Sequence, residues 1–194
     1  MMNFIHFPDW DTELFLYLNG LHFDWLDPVM TTFSSIKFWI PMYVLVAGLI
    51  VWKKRWESVA ILAVLILSIA ITDQLSVHLF KNVFERLRPC HLNEIKNSAH
   101  FLENCGGLYG FVSSHAANAF CFAMFLTMCL RNNYCSIIIF FWAALVSYSR
   151  IYVGKHFPLD VICGAAFGVV CQQTVWQIYR LLKKQSLRKL QKNK

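Results

Sequence analysis

Four residues of the stretch RIYVGKHFPLD, Arg150 to Asp160, are ionisable: Arg150, Lys155, His156 and Asp160. Pro158 suits the first turn of a helix, so His156 falls just before that helix and Asp160 just inside it. The spacing lets the carboxylate reach back to one imidazole nitrogen, fixing the tautomer and supporting a positive ring while the other nitrogen attacks an electrophile. A second imidazole, His115, can pass a proton to a leaving oxygen, because an ordinary histidine titrates at about 6.5. Lys81, Arg88 and Arg150 supply cations, and the planar fork of a guanidinium matches phosphate oxygens. Three cations gathered without counter-anions would repel, so this set implies an anionic ligand. Ser113 or Ser114 can cap a helix that begins there, which leaves free backbone N–H groups and a positive dipole end, together an anion site.

These groups are embedded in apolar chain. Of 194 residues, 57% are hydrophobic and 15% charged, against roughly a quarter charged in soluble domains, which makes this a membrane protein. A membrane helix needs about 17 to 25 mostly apolar residues, and five segments qualify: Ile36 to Trp52, Ser58 to Leu79, Ala116 to Leu130, Tyr134 to Tyr152 and Leu159 to Leu182. The third is the shortest and needs neighbours on its Ser113 side. Lys53, Lys54 and Arg55, then Arg131, then the tail from Lys183 to Lys194 flank the span ends that the positive-inside rule makes cytoplasmic. Residues 80–115 and 150–158 then form extracytoplasmic loops, which carry every group named above except Asp160, just inside the last span. Residues 1–35 hold no Lys or Arg and read as an N-terminal interfacial segment, with DTELFLYLNG a short helix stopped by Asn19-Gly20. The alternative is a sixth span through residues 12–35. Without repeats or linkers, 1–194 reads as a single integral-membrane domain.

Other classes are excluded. No positive leader begins a cleavable signal, and the +7 charge is not interleaved with stacking aromatics as nucleic-acid binding requires. Metal-type Cys and His spacings are absent. Cys90 and Cys105 lie together in the outer loop and are a candidate disulfide, whereas Cys121, Cys129, Cys135, Cys163 and Cys171 fall within or beside spans. Asp73 is expected to support the first cation cluster or to bond a neighbouring span, and Glu85 and Arg86 read as a local pair. His6, His22, His78, His91 and His100 have no comparable setting and are assigned structural or surface roles.

Lys81, six residues, Arg88-Pro89; then Ser113 and His115; then Ser149-Arg150, five residues, His156, three residues, Asp160: this order and spacing resembles the type 2 phosphatidic acid phosphatase superfamily, whose core is similar to vanadium haloperoxidases. The middle motif departs, with Val112-Ser113-Ser114-His115 where the family has Pro-Ser-Gly-His. The departure puts loop geometry in question, because glycine at a positive φ is poorly replaced by serine. The resemblance implies an all-α polytopic membrane helical bundle of five or six spans that hydrolyses a lipid phosphate monoester or diphosphate, with no cofactor and no metal. It implies His156 as a nucleophile forming a phosphohistidine, Asp160 as its orienting group and His115 as proton donor and then base. Lys81, Arg88, Ser113, Arg150 and the Ser114 backbone N–H are implied to hold the phosphoryl oxygens. Compact members of this kind act in the bacterial inner membrane with the site facing the periplasm, so the expected partners are the bilayer and a lipid phosphate such as undecaprenyl diphosphate or lipid A, with no nucleic acid and no obligate protein partner. Transfer of the phosphoryl group to a second lipid, or lipid transport without catalysis, are the alternative functions.

Overall fold

The computed structural model describes residues 7–192. His6, the start of the 1–35 segment and the last residues of the basic tail lie outside them. The chain runs through α1 (Asp9–Gly20), α2 (Asp27–Ser34), α3 (Ile36–Lys54) and α4 (Glu57–Leu75). A π-helical turn (Ser76–Lys81) and the short α5 (Asn82–Phe84) continue α4, followed after a long loop by α6 (Ser114–Leu130), α7 (Asn133–Tyr152) and α8 (Pro158–Lys192). Among the described residues four helices are long and apolar enough to cross a membrane, namely α3, the α4 to α5 run, α7 and α8, and α6 is a shorter apolar helix. Large apolar side chains on these helices, including Val44, Ile66, Ile137 and Phe141, face outward, as lipid contact requires.

A sixth span is ruled out by the turn at residues 21–26, which breaks the N-terminal segment into helices of 12 and 8 residues, neither long enough to cross. α1 does end at Gly20, yet it does more than lie on an interface. Asp11, Phe15 and Asn19, spaced one helical turn apart, are all fully buried. Asn19 ties down three backbone carbonyls, those of His100, Ile151 and Tyr152. The N-terminal helix is therefore part of the packed structure around the loops at 80–115 and 150–158.

α6 is the central helix. Its 17 residues rise only about 26 Å, short of a hydrocarbon core of about 30 Å. It is buried against α4, α7 and α8 through Ala116, Ala117, Ala119 and Ala123. Gly164 and Gly168 of α8 provide the other half of the contact with that helix. A Cβ on Gly164 would lie 2.6 Å from the Ser113 carbonyl oxygen, and one on Gly168 would overlap the Ala117 carbonyl. Small residues four apart let the two backbones touch, which is how helices associate where lipid removes the hydrophobic drive. This close approach brings the start of α6 to the start of α8, and the Ser113 N–H donates to the Asp160 carbonyl at 2.9 Å. Toward the other end of the bundle, Trp142, Phe122 and Phe125 form an aromatic core with Tyr43 and Trp39 packed on it.

Candidate active site

Lys81, Arg88, Ser114, His115, Arg150 and His156 line one cavity of about 590 Å³. Asp73 joins them, and the walls continue into apolar side chains of α3 and α4, among them Trp39, Tyr43, Leu65 and Ile69. Three distant stretches of chain thus meet at one end of the bundle. The cavity is a polar head on an apolar shaft.

Each cation is held by a different device. The π-helical turn after Leu75 adds a residue to the helical repeat and re-aims the side chains beyond it. Lys81, at its end, donates to the Ser114 hydroxyl at 2.8 Å, and that hydroxyl also meets Ser76 Oγ at 2.7 Å. Arg88 is tethered by loop carbonyls, its Nε donating to Tyr109 at 3.2 Å and its Nη1 to Cys105 at 3.0 Å. Cys105 is itself bonded to Cys90 by a disulfide that closes this loop, with Cα atoms 5.8 Å apart. Arg150 donates to the Ser34 carbonyl at 3.3 Å and to the Ser34 hydroxyl, so the end of α2 carries part of the site. Glu103 pairs with Lys155 and lies 4.0 Å from Arg150. Burial alone would raise the Glu103 carboxyl, but the hydrogen bond from Lys155 and the charges of Lys155 and Arg150 hold it below its ordinary range. Asp73 accepts from Asn118 Nδ2 at 3.5 Å, a link to the neighbouring α6, while sharing the cavity with Lys81.

His156 is almost completely buried. Its Nδ1 lies 3.4 Å from Asp160 Oδ2, which leaves Nε2 for chemistry. Burial first, then the charges of Arg150, Arg88 and Lys81, push its proton affinity well below that of an ordinary histidine. These effects favour the neutral ring, the form whose free lone pair can act as a nucleophile. Asp160 Oδ2 also accepts the Phe157 N–H at 3.0 Å. Gly154, in the loop between Arg150 and His156, has a φ of +82°, and a Cβ there would lie 3.0 Å from the His100 carbonyl. Only glycine fits a left-handed turn pressed so closely against a neighbouring stretch of chain.

Two readings of the sequence change. Ser113 is the N-cap of α6, fully buried, with its Oγ accepting the Ala116 N–H at 3.5 Å, and Ser114 is the serine whose hydroxyl faces Lys81 in the cavity. One residue along a helix start rotates a side chain by about 100°, enough to exchange the two serines. Ser114 is the first helical residue and is absent from the positive-φ positions, so replacing the family's glycine imposes no strained backbone here. Arg86 is not paired with Glu85. Glu85 takes a left-handed conformation, φ 47°, and turns the chain so that Arg86 points inward to Asp160 at 2.7 Å and Asp11 at 2.6 Å. Neither Arg86 nor Asp11 carries a local signal for such a role, because Arg86 is 74 and 75 residues along the chain from Asp160 and Asp11.

Among the described residues, His22, Asp27 and His100 bring ligand atoms within 4.8 Å of one another. The two rings are stacked with planes 7° apart. Imidazole lone pairs lie in the ring plane, so one ion cannot meet both in this arrangement. His100 instead bonds Asp27 at 2.9 Å, and Asp27 accepts from the Tyr152 hydroxyl at 2.7 Å, a structural role for His100, on which His22 is stacked.

Residues 57–184 match the PAP2 superfamily. The lipid A 4′-phosphatase of Bacteroides thetaiotaomicron is 36% identical over 82% of this chain and 72% of its own length. That of Porphyromonas gingivalis is 35% identical over 87% and 72%. The crystal structure of Aquifex aeolicus LpxE superposes with a TM-score of 0.71 at 29% identity, covering 91% of this chain and 99% of that one.

Proposed function

Because the chain belongs to the PAP2 superfamily and is a membrane lipid phosphatase, a hydrolase of phosphoric esters, we propose that it removes the 4′-phosphate of lipid A through a phosphohistidine on His156, at a site open to the periplasmic side of the bacterial inner membrane. The observation that carries the mechanism is the convergence of His156, His115 and three cations on one cavity whose walls turn apolar along α3 and α4. A phosphate on a multiply acylated sugar has that shape in chemical terms, an anionic head beside several hydrocarbon chains. Side chains of α3 form one wall of that cavity, and most of this helix faces outward. The two relatives named lipid A 4′-phosphatase support the choice among lipid phosphates.

His156 Nε2 attacks the phosphorus and forms the P–N bond as the P–O bond to the sugar breaks. Burial, then the charges of Arg150 and His156, lower the proton affinity of His115; the negative charge of a phosphate held between these cations offsets that, and His115 gives its proton to the departing sugar oxygen. A water molecule then loses a proton to His115 while its oxygen attacks phosphorus, the P–N bond breaks, and inorganic phosphate leaves. Asp160 steadies the imidazolium that exists between the two steps. Lys81, Arg88, Arg150, the Ser114 hydroxyl and the free N–H groups opening α6 hold the phosphoryl oxygens, and such preorganised donors are often the largest single contribution to catalysis. That set supplies the positive charge that a metal ion provides elsewhere, so turnover is expected to continue with chelator present. Lys54, Arg131, Lys183, Lys184 and Arg188 gather around a second cavity, and the positive-inside rule makes theirs the cytoplasmic end.

The test is phosphate release from purified lipid A, undecaprenyl diphosphate and phosphatidic acid, wild type beside His156→Ala, in chelator. Release from lipid A, with fragmentation mass spectrometry locating the loss at the 4′ position, is expected from wild type alone. Preference for another lipid would overturn the substrate, and equal release by His156→Ala the mechanism. Phosphate recovered on a second lipid would make the enzyme a phosphotransferase.

A further inference from the structure

We propose that Arg86, held by Asp11 of α1, is a positioning residue that keeps Asp160 ionised and aimed at His156; the inference rests on His156 being the nucleophile. The Arg86 side chain is only 7% exposed and Asp11 and Asp160 are fully buried. Its Nη1 donates to Asp160 Oδ1 at 2.7 Å and its Nη2 to Asp11 Oδ2 at 2.6 Å. The guanidinium carbon sits 4.0 Å from the ring centroids of both Phe7 and Phe157, so the fork is clamped between two aromatic faces. The other Asp11 oxygen accepts the Leu159 N–H at 2.9 Å, next to Asp160 in sequence. Every oxygen of the two carboxylates therefore has a donor or faces His156.

The arrangement answers two electrostatic problems at once. A carboxylate buried like Asp160 takes up a proton unless a cation stands beside it, and a neutral carboxyl cannot steady an imidazolium. Arg86 removes that difficulty but would, alone, cancel the charge His156 needs. Asp11 shares the guanidinium and returns the group to a net charge of −1, from one Arg and two Asp. Asp11 lies outside the residues 57–184 that match the superfamily, so α1 acts on the catalytic pair from beyond the matched core. The other titratable and charged groups that bear on Asp160 and His156 are Arg88, Lys81, Cys163, Arg150 and His115.

The experiment measures kcat and KM against pH for the full-length enzyme on its lipid substrate, in wild type, Arg86→Ala, Arg86→Lys, Asp11→Asn, His156→Ala and the remote control Glu57→Gln. Arg86→Ala is expected to lower kcat by ~10²-fold with KM little changed, and added guanidinium ion to restore part of the loss. Arg86→Lys, which keeps charge without the fork, should lose ~10-fold. The decisive readout is the acid limb of the profile. Removing the cation raises the proton affinity of the His156–Asp160 pair and moves the limb to higher pH, whereas Asp11→Asn removes an anion and moves it to lower pH. Opposite displacements are not produced by loss of packing. Limbs that stay in place in both variants, or losses that follow the folded fraction alone, would overturn the proposal. If Arg86→Ala does not fold, Arg86→Lys and Asp11→Asn decide. Failure of the parent reading looks different, because His156→Ala would then match wild type.

Discussion

The two ends of the bundle carry the same kinds of charge in opposite environments. At one end Arg86, Asp11 and Asp160 are buried, bonded at 2.6 and 2.7 Å and enclosed by aromatic rings. At the other, Glu57 and Lys183 also pair, but their side chains are 41% and 47% exposed. In water such a pair contributes about 0.2–1 kcal/mol, whereas removing one partner of a buried pair costs about 3–5 kcal/mol because a charge is left unpaired in a poor solvent. Burial therefore converts an interchangeable surface feature into one that fixes geometry. The cations of the cavity are a third case, since Lys81, Arg88 and Arg150 are tethered mainly by hydroxyls and carbonyls, which orient them without neutralising them.

This contrast can be broken by graded substitutions. Asp160→Asn keeps shape but removes the charge behind His156, and turnover should fall by ~10²- to 10⁴-fold; a loss below tenfold would mean that the pair is structural. Arg150→Lys comes next. A point charge cannot reproduce a fork anchored at Ser34, and kcat/KM should drop by ~10- to 10²-fold, with full activity demoting Arg150 to an anchor. The acid limb of kcat/KM should fall below the ordinary histidine value of about 6.5, because burial and the charges of Arg150, Arg88 and Lys81 disfavour protonation of His156. Arg150→Met should return the limb toward that value. Stability carries the same sign: below about 6.5 the unfolded ring binds a proton that the folded one refuses, so the contribution present above that pH is lost progressively as pH falls from there toward the lower folded value. Glu57→Gln has the smallest expected effect, within about 0.5 kcal/mol in stability and none on turnover, and a large loss there would erase the distinction between the ends.

Much of this was legible along the chain because it is local. The apolar runs that became α3, α4, α7 and α8 announce themselves by length, and the spacing of Lys81 to Arg88, and of Arg150 to His156, survives as residues sharing a cavity, with Asp160 behind His156. The hidden part is pairwise and distant. Asp11 reads as an acid favourable in a first helical turn, and only the packing of α1 sends it to Arg86. Arg86 reads as the neighbour of Glu85 until the left-handed residue turns it inward. Ser113 and Ser114 differ by one position at a helix boundary, where sequence is least decisive, and the cap goes to Ser113. The supporting contacts of Ser34, Ser76 and Glu103 likewise depend on partners that no periodicity encodes.

The most direct test of the central claim is rapid acid-free quenching of the enzyme with labelled lipid phosphate, followed by mass-spectrometric location of any label on the protein. The expected result is a phosphoramidate on His156, formed and lost at rates compatible with turnover and missing from His156→Ala. Label on another side chain, or full turnover with no labelled protein at any time, would contradict it.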